Sequence, residues 1–433
     1  MEMHLIIAQL IIAATLILMV IGRTPLFMTA MFGATLAALV GGIPLTAAQG
    51  VSIKSLLIGG LNPVLVDMAG ILLFIGIMKT SGFLSVIIKE VIKFGNYVGG
   101  GPGIITAAAF VAGVIGMFVG YTQAAITGVI AGPAAIKLGV KPNEAAGALQ
   151  HANNLGCGAG FAHPTELSIL ALTGLTFGMF NIWMAISAFA IMGAGWWRMR
   201  NRIVAEGGQV SKFSKEQIKS ILDGFDKTDH INPVKAFIPF IVLLVFASSG
   251  IPVFVVCFVA ALLTILLSGR NIMQSETDMV EGVKMLSVPF TAIIIFLFLS
   301  GVINNVGVID TLKNFFEPIL NTAPIALMFV VSMIAGVVTQ SYTGAAAIIL
   351  PFVTLVMGTG ADPMATAVAA ASGGNIGQYY LTGGPVSGLN TVTPVVPGSD
   401  LRGANLFQRP NQDRKSTRLN SSHTDISRMP SSA

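Results

Sequence analysis

Two stretches decide the reading of this chain: HANNLGCGAGFAHPT at residues 151–165 and SGGNIGQYYLTGGPVSG at residues 372–388. Each lies in apolar surroundings, yet each carries several glycines, a proline and an asparagine two residues before a glycine. Glycine weakens a helix by about 1 kcal/mol and proline by about 3 kcal/mol, so neither stretch is expected to be an uninterrupted helix. A shift of 221 residues brings Asn154-Leu155-Gly156 onto Asn375-Ile376-Gly377. The same shift, without a gap, brings Tyr121-Thr122 onto Tyr342-Thr343, Gly139 onto Gly360, Pro142 onto Pro363 and Pro164 onto Pro385. With slight slippage Gly76 and Gly82 meet Gly301 and Gly307. The ordered set predicts an internal duplication.

The rest of the chain sets the solvent. Of 433 residues, 54% are hydrophobic and only 10% charged, and the mean hydropathy is +0.81. A soluble domain carries about 25% charged residues, so a soluble enzyme is excluded, and so is a disordered chain. Apolar runs have the length of bilayer-crossing helices, about 20 residues; a β-barrel would show alternation in shorter segments. The fold class predicted is an all-α polytopic membrane protein of about 10–11 spans, built from two repeats, each with a re-entrant hairpin and a broken helix. Apolar segments fall at 4–22, 25–43, 64–81, 102–120 and 179–197, and again at 236–251, 252–268, 286–304 and 324–340. The broken stretches are 122–175 and 343–397, and 85–94 and 309–319 read as short amphipathic helices at the membrane surface.

The longest polar stretch, 198–233, carries Arg198, Arg200, Arg202, Lys212, Lys215 and Lys219 and follows Trp196-Trp197. Positive loops stay in the cytoplasm, so the protein is expected in a bacterial cytoplasmic membrane with this loop on the cytoplasmic side, dividing a first repeat (1–197) from a second (234–412). Such a loop favours inverted repeats, although parallel repetition is also compatible with the sequence. The equivalent of 179–197 is expected shortly after residue 400, so one helix is inferred to be missing. From Asp413 the chain reads DRKSTRLNSSHTDISRMPSSA, which resembles a translated sequencing adapter and is set aside from fold reasoning. The formal charge of +5 reflects loop charges, and nucleic acid is not an expected partner. Cys157 and Cys257 both lie in apolar runs and give no disulfide framework.

In hydrocarbon, irregular backbone survives only where protein or a water-filled cavity surrounds it. Paired interrupted segments at matching positions of two halves point to a transporter site. Half-helix N-termini favour an anion, freed carbonyls hold a cation, and the carboxamides of Asn154 and Asn375 suit either. The alternative is that the small residues only let helices pack closely. Segments 121–137 and 342–358 read as hairpins with Tyr121-Thr122 and Tyr342-Thr343 near their tips. No Lys or Arg occurs from 142 to 197 or from 314 to 401. A carboxylate bound there needs dipoles, hydroxyls and amides, aided by a co-bound Na⁺ or a carried H⁺. The acids and histidines considered for that ion are Asp67, early in a span; Glu144, which equally suits a helix N-terminus; and His163 and Glu166, which flank Pro164-Thr165. No metal-ligand spacing occurs, no cofactor is expected, and Ser168 and Ser387 have no base at recognisable spacing. GGGPG at 99–103 lacks the rest of a phosphate loop.

With HPTELSIL after the first break and NIGQYYLTGGPVSG at the second, the chain resembles the ion-transporter superfamily of secondary carriers over roughly residues 60–400. The nearest types are the gluconate permeases, whose HPGPTAIA segment the first motif resembles, and the C4-dicarboxylate carriers, whose late Asn-x-Gly…SPVSG segment the second resembles. The resemblance implies ion-driven movement of small organic anions through one central site involving Tyr121, Thr122, Asn153, Asn154, Gly156, Thr343, Asn375, Gly377 and Ser387. Thr165-Glu166 departs from the Gly-Pro-Thr of the gluconate type. An acid there argues against a sugar acid and suits a cation site.

The expected function is therefore a secondary active transporter for a small carboxylate (gluconate, a C4-dicarboxylate or citrate), coupled to Na⁺ or H⁺ by alternating access. It would be a non-enzymatic protein of the lipid bilayer, with a homodimer as the assembly allowed for. The rivals are a Na⁺/H⁺ antiporter using Asp67, Glu144 and Glu166, a membrane-embedded hydrolase, and a passive channel.

Overall fold

The computed structural model describes residues 2–61, 63–119, 124–223, 230–247, 249, 251–284, 287–380 and 388–412. Tyr121, Thr122 and Ser387, as well as the tail 413–433, lie outside the described residues. All regular structure among the described residues is helical. The first series is α1 (Met3–Ile21), α2 (Leu26–Val40), α3 (Ile53–Gly59), α4 (Pro63–Thr80), α5 (Phe83–Val119), α6 (Ala124–Lys137), α7 (Pro142–Gln150), α8 (Ala152–Gly156), α9 (Pro164–Thr173) and α10 (Met179–Ala205). After α11 (Lys215–Asp223) come α12 (Pro233–Ala247), α13 (Val253–Ser268), α14 (Ile272–Val283), α15 (Ser287–Asn305), α16 (Val308–Thr322), α17 (Pro324–Thr339), α18 (Tyr342–Met357), α19 (Pro363–Gly377), α20 (Leu389–Val392) and α21 (Leu401–Gln412).

Among the described residues α1, α4, α5 and α10 are long and apolar enough to cross a bilayer. Pro289–Asn305 and Val308–Thr322 reach that length only as a pair bent by 75°. All or part of α2, α6, α12, α13, α17 and α18 form shorter apolar helices. Leu10, Phe32, Val259 and Leu266 on the outside are exposed to the surroundings. Apolar surface on that scale is unstable in water and stable against lipid tails.

Helices α1–α9 can be set beside α12–α20 in chain order. The offset of 221 carries the ends of α7 and α8 (Pro142 and Gly156) onto those of α19 (Pro363 and Gly377). It also relates Gly139 (φ 88°) to Gly360 (φ 79°), both in the left-handed region that favours glycine. The long α5, kinked at Gly100 (φ 54°), occupies the place held by the separate α16 and α17. Packing is reciprocal: α4 lies against α13 and α14, and its counterpart α15 lies against α2 and α3. The α4–α14 contact brings backbones together, since a methyl carbon added at Gly282 would lie 2.8 Å from the Gly76 backbone. Small residues at such crossings replace the hydrophobic driving force that lipid removes.

One boundary departs from the sequence reading. The apolar span expected to stop at 197 continues as α10 to Ala205, and part of the expected loop is α11. The reason is that the first basic side chains find partners inside the protein. Arg198 donates to the Phe407 carbonyl (2.7 Å) and to Asn411 Oδ1 (2.6 Å) and lies 4.8 Å from the Phe407 ring centre. The segment 85–94, read from the sequence as a short helix, lies in the first arm of α5, which ends at the break at Gly100.

Candidate functional site

The first interruption begins where α8 runs out of side chains that favour a helix. After Gly156 the chain unwinds through Cys157–Ala162, and helix resumes at Pro164, whose fixed φ suits the first helical position. The freed backbone is satisfied by protein, as a membrane interior requires. The Phe161 N–H donates to the Met117 carbonyl of α5 (2.7 Å). The Asn181 carboxamide donates to the carbonyls of Ala159 (3.0 Å) and Gly160 (3.2 Å). Gly156 presses on α5, where an added methyl would lie 3.1 Å from Gly116 Cα.

The second interruption follows α19, which is capped by Asp362 accepting from the Ala365 N–H (2.7 Å). Its end packs on α17, with Gly377 against Met333. Gly156 and Gly377 thus serve close helix packing at their positions. Asn375 Oδ1 accepts from Gln378 Nε2 (2.8 Å).

The two interruptions meet. The Asn153 carboxamide donates to the hydroxyl of Tyr379, which also bonds Gln150, and Cys157 Sγ donates to Asn153 Oδ1 (3.0 Å). Asn154 and Asn375 line one narrow cleft with Ser187, Ser372 and Met184. Its volume of about 10 Å³ holds at most about one water molecule. A methyl carbon added at Gly158 would fall on the Asn375 carboxamide and lie 2.6 Å from the Asn154 carbonyl. Asn154 Nδ2 is buried with no hydrogen-bond partner among the described residues.

Beside this cleft two helix N-termini converge, those of α9 and α18. His163, at the N-cap of α9, stacks on Tyr342 (ring centres 4.9 Å, planes 14° apart), and its Nε2 lies 3.2 Å from Thr343 Oγ1. The Tyr342 hydroxyl donates to Glu166 Oε1 (2.6 Å), and the Thr165 hydroxyl donates to the Tyr342 carbonyl (3.2 Å). Ser341 caps α18 by accepting from the Gly344 N–H (3.2 Å). Gln340, at the tip between α17 and α18, has φ 50°, a rare conformation for a residue with a side chain. Glu166 is fully buried, and its Oε2 has no partner among the described residues, nor does His163 Nδ1. The Tyr342 ring joins this cluster to the cleft: an added methyl on Gly374, next to Asn375, would lie 2.9 Å from it.

The other acids are elsewhere. Asp67 Oδ1 accepts from the Phe254 N–H (3.2 Å) at the first turn of α13, where a carboxylate complements the helix dipole. Glu144 sits at the start of α7 and receives both prongs of Arg202, Nη2 at 2.5 Å and Nε at 2.9 Å. Arg202 also donates to Glu206 (2.8 Å) and to the Gly139 carbonyl (2.9 Å), and Lys141 pairs with Glu206 (2.6 Å). Replacing Arg202 with methionine is expected to lower stability by about 1–3 kcal/mol, because the partly buried Glu144 loses a charge-assisted pair. Lysine, lacking the planar fork, restores only part of it. Thermal unfolding in detergent measures both, and transport per folded molecule is expected to stay unchanged.

The residues brought together are Asn153, Asn154, His163, Glu166, Thr343 and Asn375. Tyr342, Tyr379 and Gln150 belong with them and were not singled out as site residues from the sequence. The repeated Tyr-Thr pair is a signal for Tyr342; Tyr379 lies after Asn-x-Gly without being singled out, and Gln150 carries no signal. Ser168 donates to the Pro164 carbonyl (2.9 Å), a helix-internal bond. Among the described residues no three His, Cys, Asp or Glu side chains gather as metal ligands.

No family model matches the chain, and no curated protein matches it in sequence. Solved structures match in fold, among them two transporters. The YdaH transporter of Alcanivorax borkumensis, described as having an unusual topology, is 15% identical with a TM-score of 0.60, over 89% of this chain and 94% of that one. MtrF of Neisseria gonorrhoeae, described as illuminating a class of antimetabolite efflux pumps, is 17% identical with a TM-score of 0.57, over 90% and 94%. Neither is described as a gluconate permease or a C4-dicarboxylate carrier, so what they share with the sequence expectation is the transporter architecture. The described residues make an all-helical integral membrane protein with the fold of these two transporters.

Proposed function

We propose that the chain is a secondary active transporter that moves a small organic anion, a carboxylate of the gluconate, C4-dicarboxylate or citrate kind, by alternating access coupled to H⁺ or Na⁺. The observation that carries this reading is the buried, unpartnered Asn154 Nδ2 in a cleft shared with Asn375. A buried donor left unmade is costly, and a carboxylate oxygen would satisfy it. The Asn153–Tyr379 bond and the Gln378–Asn375 bond hold the neighbouring carboxamides in orientation.

Glu166 supplies the coupling. Among the described residues it has no cationic partner, so its charge has to be neutralised by a bound proton or cation. Its bonded oxygen is held by Tyr342, and the other oxygen is free for that ion. A solute and an ion sharing one buried junction neutralise each other, which favours symport. Likeness to MtrF supports a second reading, in which the same Glu166 exchanges an inward proton for an outward solute.

Purified protein in proteoliposomes, offered radiolabelled carboxylates with pH and Na⁺ gradients imposed separately, tests the proposal. Saturable uptake driven by one inward ion gradient supports symport, and uptake driven by an outward one supports exchange. Uptake indifferent to both gradients overturns the coupling. Asn154→Ala removes one hydrogen bond to a charged solute, about 1.5–3 kcal/mol. The expected result is a KM raised about 10- to 100-fold with ion dependence retained.

A further inference from the structure

Away from the central cleft, a pocket of about 560 Å³ opens between the first arm of α5 and the chain around α11. Its wall carries Lys93, Lys212, Lys215 and Lys219 against the single acid Glu90. Lys93 pairs with Glu90 (2.7 Å), which leaves a surplus of three positive charges. Lys212 donates to the Tyr97 carbonyl (2.6 Å) and lies 5.5 Å from the Tyr97 ring centre. Among the described residues neither Lys215 nor Lys219 forms a salt bridge. The pocket is built rather than incidental. Buried Asn96 clamps the far wall, donating to the Phe213 carbonyl (3.0 Å) and accepting from the Phe213 N–H (3.0 Å).

Its rim is apolar and faces outward: Phe94 is 65% exposed and Tyr97 74% exposed. The next turn, at Gly99, touches the indole of Trp196, in the tryptophan pair that ends the apolar part of α10. Aromatic residues at a span end mark the headgroup level of a bilayer. A cationic cavity at that level, bordered by side chains suited to acyl chains, matches an anionic headgroup in charge and its tails in polarity.

We propose that this pocket binds the headgroup of an anionic phospholipid and that the bound lipid pins the segment around α11 to α5. The phosphate lies among Lys93, Lys215 and Lys219, and the acyl chains run over Phe94 and Tyr97.

The test uses the full chain in neutral detergent, with melting temperature followed against dioleoyl phosphatidylglycerol, dioleoyl phosphatidylcholine or inorganic phosphate. Each lysine near an anionic lipid is worth about fivefold in affinity. The wild type is expected to show a saturable rise with phosphatidylglycerol only. In K93Q/K215Q/K219Q the half-saturating concentration should rise about 100-fold, whereas K93R/K215R/K219R should keep the wild-type value. If the triple glutamine variant does not fold, K219Q alone, exposed on α11, is expected to show about a fivefold rise. An unchanged response in the glutamine variants, an equal response to phosphatidylcholine, or the same saturable rise with inorganic phosphate would each overturn the proposal, the last by indicating a soluble-anion site.

Discussion

Glu166→Gln is expected to abolish gradient-driven accumulation while sparing the fold. Glutamine has nearly the same shape, and its carbonyl oxygen can still accept from the Tyr342 hydroxyl. What disappears is the acceptor that has no partner among the described residues and sits in a fully buried position. An uncharged amide binds no proton at working pH and holds Na⁺ far more weakly than a carboxylate, so the solute loses its co-passenger. Loss of about 3 kcal/mol of ion binding lowers concentrative uptake by about two orders of magnitude. Solute exchange between equal ion concentrations does not need the gradient and should persist. Uptake and counterflow measured on the same proteoliposomes separate the two. Loss of both with an unchanged melting temperature would make Glu166 part of the solute contact instead.

The second large effect is expected at Gly158. A methyl group there competes for space with the Asn375 carboxamide and the Asn154 carbonyl. Overpacking of this kind costs about 1–3 kcal/mol, and here it pushes apart the two ends that form the cleft. Gly158→Ala should therefore melt lower and transport poorly. Asn375→Ala vacates the contested space. The double variant Gly158→Ala/Asn375→Ala is expected to recover part of the loss, with a coupling of about 0.5–3 kcal/mol between the sites, because the Asn154 carbonyl still lies 2.6 Å from the added methyl. Additive losses would mean that Gly158 and Asn375 are not neighbours.

Much of this arrangement could be read from the chain. The glycines after Asn154 and Asn375 marked where α8 and α19 end, and the 221-residue offset located corresponding helix ends. Local backbone propensity governs those features, so they leave a local trace. The partners of the acids left none. Glu166 and Tyr342 are 176 residues apart, and Asp67 meets Phe254 across 187 residues. Which carboxylate caps a helix, which meets an arginine and which is left alone depends on how helices from the two halves pack. The sequence treats Asp67, Glu144 and Glu166 alike; of these three, Glu166 has a buried oxygen without a partner among the described residues. The end of α10 was hidden for the same reason. An arginine at 198 reads as the start of a loop until Phe407 and Asn411, more than 200 residues later, are seen to receive it.

The account stands on two interrupted helices sharing one solute cleft. Cysteines placed at Asn154 and Asn375, in a background with Cys157 and Cys257 replaced by serine, test this directly through a short bifunctional thiol reagent in membranes. The expected result is rapid cross-linking, since both residues line the one cleft. No cross-linked product would contradict it.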